Sequence, residues 1–233
     1  MSEYLEKIAG ILHGIESSQA EALQKAGERV CKVIAEGGLI HIFGCGHSHL
    51  PGLDAFYRAG GLANVSPMLD TDLMLHNGAA KSSRMEKMNG IGSEIYRRYQ
   101  VERRDMLIVF SLSGKNAVPI ELADCARKAG VYTVAVSSSA YFEKGGCLHR
   151  HADLFIDCMV PYGDAVVSVG SEKMGGLSTA AFCFILNSIL IDGAKLADRA
   201  GADVPIYRSG NIEGGREHNL GLEEKYLGRI KHL

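Results

Sequence analysis

Residues 39–49, Leu-Ile-His-Ile-Phe-Gly-Cys-Gly-His-Ser-His, decide the fold of this chain. Five mostly apolar residues end at Gly44, and a second glycine, Gly46, follows two positions later. A short apolar run that ends at a glycine is typical of a buried β-strand, and closely spaced glycines let the backbone turn sharply. The stretch therefore predicts a strand that turns directly into a helix, the unit from which parallel sheets are built.

Similar apolar runs recur along the chain. They lie at 106–110, 131–136 and 154–157, with a weaker run at 64–69. Helical patterns separate them at about 49–60, 83–100, 117–129 and 175–197, and a closing helix is expected within the last 15 residues. Strands that alternate with helices predict right-handed crossovers and a sheet covered on both faces. We expect an α/β fold, a three-layer α/β/α sandwich with a five-stranded parallel sheet.

The N-terminal segment predicts a long helix. Apolar side chains recur at steps of three and four over about residues 3–36, with a break near Ser17-Ser18, where Ser18-x-x-Glu21 resembles a capping box. The chain carries neither an internal repeat nor a low-complexity linker. We therefore expect a single domain over 1–233, with its core at about 37–200 and a C-terminal extension, including the closing helix, at 201–233.

Composition and charge narrow the function classes. Twenty-five Lys and Arg against 27 Asp and Glu give a net charge of −2, without the basic field of most nucleic-acid binders. No apolar run reaches the ~20 residues that cross a membrane, so we expect neither nucleic acid nor membrane as partner. Six scattered cysteines without CxxC pairs indicate reduced thiols and a cytoplasmic location. His47-x-His49 and His149-x-His151 lack an evident third ligand, so no metal or other cofactor is expected.

Two polar segments follow the first and third strands, where open α/β sheets bind ligands. In the first, His49 replaces the third glycine of a dinucleotide fingerprint, which disfavours such a cofactor. The second, residues 111–116 (Ser-Leu-Ser-Gly-Lys-Asn), leads directly into a helix, and it is not a P-loop. Hydroxyl donors beside the unpaired N–H groups of a helix start can hold a phosphate. A plain glycine turn and ordinary N-capping by Ser113 are the alternatives.

Three motifs together resemble the sugar isomerase (SIS) domain family over roughly residues 30–200. They are Gly-Cys-Gly-His-Ser at 44–48, Ser-Leu-Ser-Gly-Lys-Asn at 111–116 and Ala-Arg-Lys-Ala-Gly at 126–130. The small stand-alone phosphosugar isomerases and phosphosugar-binding proteins of this family, relatives of phosphoheptose isomerase, are the most similar. The resemblance implies that the phosphate of a sugar phosphate binds to Ser48, Ser111, Ser113, Gly114 and Asn116. Asn116 stands where Thr is usual, and Lys115 stands where Glu is common.

The resemblance also implies candidate catalytic residues for isomerising an aldose or ketose phosphate or an amino-sugar phosphate. This reaction needs a base that moves a proton between neighbouring carbons and a group that assists ring opening. Glu172, one residue out of register with the family's glutamate, is expected at the start of a helix, and Glu86 is a second candidate base, with Glu94 as its alternative. For ring opening the candidates are His47 and His218, the latter in the same or a neighbouring subunit.

Other functions and the expected assembly complete these predictions. A sugar-phosphate-binding module without catalysis remains open, as does an etherase or lyase of the N-acetylmuramic acid 6-phosphate type, because the same phosphate site serves each. The apolar face of the N-terminal helix predicts a homo-oligomer, a dimer or a tetramer.

Overall fold

Five parallel strands form the central sheet of the computed structural model, which describes residues 2–233. They are β1 (Ile40–Gly44), β2 (Val65–Pro67), β3 (Met106–Phe110), β4 (Tyr132–Ser137) and β5 (Leu154–Asp157). Their spatial order is β2-β1-β3-β4-β5, and every neighbouring pair is parallel. The predicted five-stranded parallel sheet is confirmed, and its strand order reverses between β1 and β3.

Helices cover both faces of this sheet. They are α1 (Glu3–Ser18), α2 (Ala20–Ala35), α3 (Leu50–Ala55), α4 (Ala79–Met85), α5 (Ile91–Arg98), α6 (Ala117–Lys128), α7 (Ser178–Arg199) and α8 (Gly215–Tyr226). Ile40 and Ile42 enter one apolar cluster, with residues of α1, α2 and α7, whereas Phe43 enters another, with residues of α5 and α6. Strands buried on both faces explain their continuous apolar sequences. The three-layer α/β/α sandwich is confirmed.

Two helical predictions need correction. The N-terminal helix does break, at Gln19, but the predicted capping box does not form, because the Ser18 hydroxyl donates to the Gly14 carbonyl within α1 (2.7 Å). The stretch at 83–100 is two helices, α4 and α5, separated at Gly90, whose φ of 91° lies in the left-handed region. Glycine adopts that conformation without steric cost, so the chain can change direction there.

A two-stranded antiparallel hairpin follows β5, and the sequence patterns did not reveal it. It consists of β6 (Ala165–Val169) and β7 (Glu172–Gly176). The predicted helix over 175–197 therefore begins later, at Ser178. The hairpin contacts α1, where the Tyr4 hydroxyl donates to the Gly176 carbonyl (2.9 Å). β6 (Ala-Val-Val-Ser-Val) is as long as β1 and mostly apolar, whereas β7 (Glu-Lys-Met-Gly-Gly) has neither an apolar run nor a regular alternation.

Helix α7 contains the most apolar long segment of the chain. By length and composition it is long and apolar enough to cross a membrane, the only such helix within residues 2–233. Its inner face, including Phe182, Ile185 and Ile189, is buried in the core cluster it shares with α2. This packing is that of a core helix in an α/β sandwich.

A buried ion network stands at the end of the sheet where the strands begin, which we call the amino edge. The Asp105 carboxylate accepts hydrogen bonds from the N–H groups of Leu39 and Glu102 (2.7 Å each), from the His41 ring (3.2 Å) and from the Arg229 guanidinium (2.8 Å). His41 and Asp105 are wholly buried. This amino-edge network joins β1, the start of β3 and the C-terminal segment.

Candidate phosphate-binding crevice

The turn after β1 begins the candidate site at the opposite end of the sheet, which we call the carboxyl edge. Residues Gly46–His49 form one turn of 3₁₀ helix that leads into α3. A Cβ atom at Gly44 would collide with the Ser48 carbonyl, so only glycine permits this fold-back. Ser48 is partly exposed and His47 is exposed. Their side chains are therefore accessible to a ligand.

The loop after β3 lies beside this turn, because Gly44 and Phe110 are paired at the ends of adjacent strands. Gly114 has a φ of +57°, and its N–H donates to the carbonyl (3.1 Å) and the hydroxyl (3.3 Å) of Ser111. The Gly114 carbonyl accepts from Cys147 and Leu148 (2.9 Å each). These bonds fix the loop, and they give Ser111 a role in shaping it.

Several donors of this loop have no partner. Within residues 2–233, the N–H groups of Ser113, Lys115 and Asn116 and the Ser113 hydroxyl find no acceptor. Asn116 precedes α6, yet its side chain does not cap that helix. Unpaired donors at the positive end of a 12-residue helix form an environment that favours an anion. Ser48, Ser111, Ser113, Gly114 and Asn116 thus lie at one edge of two neighbouring strands.

Glu86 lies beside the loop after β3. It follows α4, its carbonyl accepts the Val118 N–H (3.1 Å), and its carboxyl is close enough to the Asn116 side chain to be affected by it. Burial raises the pKa of the Glu86 carboxyl above its ordinary value, and the Asn116 side chain offsets part of that increase. Burial chiefly, and then the charges of Glu86 and Asp70, raise the pKa of the Cys45 thiol. A partly buried carboxyl of raised pKa therefore stands next to both predicted phosphate segments.

Other predicted catalytic residues lie elsewhere. Glu172 is exposed on β7, so the expectation that it starts a helix is wrong. Glu94 is exposed on α5 and pairs with Arg97. His218 stands on α8, and its Nε2 is bonded to the Ile206 carbonyl (2.9 Å), which belongs to a segment at the amino edge. Within one chain the structure brings Glu86 and His47, and not His218, to the carboxyl edge.

The start of α7 has a capping residue that sequence reasoning missed. The Asp164 carboxylate accepts the N–H groups of Leu177 and Ser178 and the Ser178 hydroxyl (2.8 Å each). This helix start is therefore already satisfied and offers few donors to a ligand. The acceptor lies 14 residues before Ser178, beyond the range of any local capping pattern.

Neither histidine pair forms a metal centre in the part of the chain that the structure describes, where no group of three metal-ligating side chains converges. His47 is exposed, whereas His49 is buried and its Nδ1 is bonded to the Gly46 carbonyl. His149 packs against Phe142 (ring centroids 4.0 Å apart), and His151 bonds to an aspartate. Each histidine thus has a separate local environment.

Two large cavities do not coincide with this candidate crevice at the carboxyl edge. One of about 960 Å³ lies between α2 and α7, and one of about 660 Å³ lies between α3 and α7. Both are grooves along the outer face of α7 and include none of the unpaired donors described above. Because phosphate recognition depends on convergent donors more than on volume, we assign the ligand site to the carboxyl edge.

Comparisons with known proteins agree with this architecture. A family model described as "SIS domain" matches residues 3–138. A UPF0309 protein of Caldanaerobacter subterraneus is 39% identical over 99% of this chain and 98% of its own length. Another UPF0309 protein, from Geobacillus thermodenitrificans, is 37% identical over 100% of this chain and 97% of its own.

Two solved structures share the fold at low sequence identity. Phosphoheptose isomerase from Francisella tularensis superposes with a TM-score of 0.56 at 13% identity, over 82% of this chain and 94% of its own. Phosphoheptose isomerase GmhA from Neisseria gonorrhoeae gives a TM-score of 0.52 at 14% identity, over 84% and 94%. The matched family model, which spans α1 to β4 and includes both loops, shows that this chain belongs to the SIS domain family.

Proposed function

We propose that the crevice binds a phosphorylated sugar and that the chain isomerises this sugar between aldose and ketose forms, as a sugar phosphate or an amino-sugar phosphate. One observation carries the proposal: Glu86, a partly buried carboxyl of raised pKa, is joined through its carbonyl to the N–H of Val118 (3.1 Å), which directly follows the loop whose donors lack partners. Membership of the SIS domain family and the shared fold of two phosphoheptose isomerases support phosphosugar binding.

Donors from both loops would hold the phosphate. The Ser113 hydroxyl and the N–H groups of Lys115 and Asn116 reach it from one side, and the Ser48 hydroxyl reaches it from the other. The exposed ammonium of Lys115 adds positive charge at the mouth of the crevice. Charge-assisted hydrogen bonds contribute about 1.5–3 kcal/mol each, so the phosphate supplies most of the affinity.

Glu86 would act as the base. Its carboxylate takes the proton from carbon two of the open-chain aldose while the oxygen on carbon one gains a proton, which gives an enediol. Return of a proton to carbon one and loss of the hydroxyl proton on carbon two complete the ketose. Because burial raises the pKa of Glu86, its carboxylate is a stronger base than an exposed one. His47, next to Ser48, would assist ring opening, and Glu172 is the second candidate base.

Assembly and location belong to the same proposal. Leu5 on α1 and Ile191 on α7 are large apolar side chains that are each 50% exposed. We propose that these faces pair in a dimer or a tetramer, within the cytoplasm. His218 would then stand near a neighbouring chain. A monomeric mass in light scattering at micromolar concentration would contradict this assembly.

The binding step is tested by calorimetric titration with fructose 6-phosphate. Ser113→Ala should weaken binding about tenfold or more, because one charge-assisted hydrogen bond is lost. Ser17→Ala is the matched control: its hydroxyl is exposed and bonds only within α1, so affinity should not change. Unaltered affinity in Ser113→Ala would contradict the site.

The chemical step is tested by exchange of a proton on carbon one of fructose 6-phosphate in deuterated water. Glu86→Gln should retain binding and lose about 100-fold or more in exchange rate, since general base catalysis contributes that much. If Glu172→Gln loses proton exchange and Glu86→Gln does not, Glu172 is the base. Tight binding without exchange in the unaltered protein would indicate a binding module, and lactate release from N-acetylmuramic acid 6-phosphate would indicate an etherase.

A further inference from the structure

A second cavity at the amino edge contains arginines that the crevice does not use. It has a volume of about 430 Å³ and lies between residues 57–59, which follow α3, residues 207–211 and helix α8. Arg58, Arg208 and Arg216 line it, with Glu223 as the single carboxylate among its lining residues. Cavities of this size hold small organic ligands. The excess of guanidinium groups selects for an anion.

Two of these arginines are exposed and have no ion-pair partner within residues 2–233. Arg58 is paired with Asp54, and Glu223 accepts a hydrogen bond from the Tyr57 hydroxyl (2.7 Å). In contrast, Arg208 and Arg216 form no ion pair within residues 2–233, and their guanidinium groups make no hydrogen bond there. Guanidinium groups recognise phosphate oxygens through pairs of parallel hydrogen bonds. The cavity therefore has two free phosphate-binding groups.

The backbone around these groups is held in place. Asn219 on α8 accepts the Arg208 N–H (2.9 Å) and donates to the Arg208 carbonyl (2.8 Å). The preceding residue, Tyr207, donates its N–H to the Gly61 carbonyl (2.9 Å). The segment that carries Arg208 is thus bonded to the Asn219 side chain on α8 and to the backbone of Gly61 before any ligand arrives. A site prepared in this way loses less entropy on binding.

Two tyrosines form the aromatic wall of the cavity. Tyr57 is 56% exposed and adopts a φ of +49°, a left-handed conformation that is rare for residues other than glycine. Tyr207 meets it edge to face, with ring centroids 5.3 Å apart. Tyr207 is only 4% exposed, yet its hydroxyl has no partner within residues 2–233. An exposed tyrosine with a strained backbone, next to a buried hydroxyl that has no hydrogen-bond partner, is more typical of a binding site than of ordinary surface.

This cavity is separate from the candidate phosphate-binding crevice. Residues 60–63 precede β2 and pair with residues 205–207, which places the cavity at the amino edge. The crevice lies at the carboxyl edge, beyond the other end of β1 (Ile40–Gly44). A five-residue strand spans about 16 Å, so one small ligand cannot occupy both places.

We propose that the amino-edge cavity is a second ligand site, which binds a small organic phosphate with its phosphate on Arg208 and Arg216 and its ring against Tyr57. A phosphorylated sugar and a nucleoside monophosphate share this chemistry. The inference does not depend on the proposed isomerase activity, because its residues belong to neither loop of the crevice.

The test uses calorimetric titration of the full chain in the Ser113→Ala background, which weakens the crevice. The probes are ribose 5-phosphate, adenosine monophosphate and inorganic phosphate. We expect one organic phosphate to bind with one equivalent per chain, and Arg208→Ala and Arg216→Ala each to weaken that binding at least tenfold. Arg208→Lys should weaken it less, because the charge remains while the paired hydrogen bonds are lost. Arg199→Ala, which removes an exposed arginine outside both sites, should have no effect.

The outcomes separate the two proposals and the two ligand sources. A preference for adenosine monophosphate over ribose 5-phosphate that disappears in Tyr57→Ala identifies the ligand as a nucleoside monophosphate. Equal affinity for these two probes identifies it as a sugar phosphate. The assignment would be overturned if inorganic phosphate bound as tightly as the organic phosphates. It would also be overturned if binding were unchanged in both arginine variants. Thermal unfolding of each variant without ligand verifies that it folds. Because every measurement uses the Ser113→Ala background, a negative result for the amino-edge cavity does not bear on the proposed phosphate-binding crevice.

Discussion

The two ends of β1 differ in how their polar groups are satisfied. At the amino edge, one buried carboxylate, Asp105, accepts four hydrogen bonds and joins three separate segments. At the carboxyl edge, the Ser113 hydroxyl and several N–H groups have no acceptor within residues 2–233. Removing a buried carboxylate that is bonded on both oxygens leaves its partners without an acceptor, whereas exposed donors held in fixed positions are available to a ligand. At the two ends of β1, the difference assigns stability to the Asp105 network and ligand binding to the unpaired donors of the two loops.

The largest expected effect comes from removing Asp105. Asp105→Ala leaves the buried His41 and the partly buried Arg229 without their shared acceptor, so the free energy of unfolding should fall by about 3–5 kcal/mol. Urea unfolding followed by circular dichroism measures this change. In the control Asp203→Ala, the lost partner is 91% exposed and 3.9 Å from Lys225, so the change should stay below about 1 kcal/mol. Equal effects of the two substitutions would remove the contrast between the edges.

A smaller effect is expected on acidification. Burial tends to raise the pKa of Asp105, but its bonds to His41, Leu39 and Glu102 outweigh burial and lower the pKa from 3.8 to about 2. A carboxyl whose pKa is lower in the folded state stabilises the fold above its unfolded value, and this contribution disappears as the pH falls from about 4 to 2. The loss is about 2 kcal/mol.

Urea unfolding at pH 5 and at pH 2.5 measures this loss. Asp105→Asn, which cannot ionise, should lose less stability over the same interval than the unaltered protein. If both proteins lose the same amount, other carboxyls govern acid unfolding and the amino-edge network does not.

The smallest expected effect concerns Glu86. The Asn116 side chain lowers the pKa of this carboxyl, so Asn116→Ala should raise it further. If Glu86 is the base, the acid limb of the kcat profile moves to higher pH. Profiles of kcat report the bound state, so weaker phosphate binding in this variant does not mimic the shift. The exposed Asn187 provides a control, Asn187→Ala, whose limb should not move. A limb that is the same in all three proteins would exclude Glu86 as the titrating base.

Local sequence patterns were sufficient for the sheet and for both loops. The strands that flank the crevice are continuous apolar runs, and each predicted run contains a strand. The serines of the second loop stand directly after β3, so their position at the carboxyl edge followed from the strand alone. Patterns of this kind report burial and turns within a few residues.

Contacts between distant residues were not predictable in the same way. The bond from the Val118 N–H to the Glu86 carbonyl joins two distant segments, and Asp164 caps α7 from 14 positions before Ser178. Neither pair has a spacing that a helix or a strand would produce. Glu172 was misplaced for a related reason: its glycine-rich surroundings fit a helix start as well as the hairpin that the chain forms. Such positions depend on tertiary packing.

A crystal structure with a bound hexose 6-phosphate would show whether both loops bind one phosphate. We expect the Ser48 and Ser113 hydroxyls each to lie within about 3 Å of oxygens of the same phosphate, with the Glu86 carboxyl facing carbons one and two of the sugar. A phosphate that contacts only one of the two serines, or that binds away from the ends of β1 and β3, would contradict this expectation.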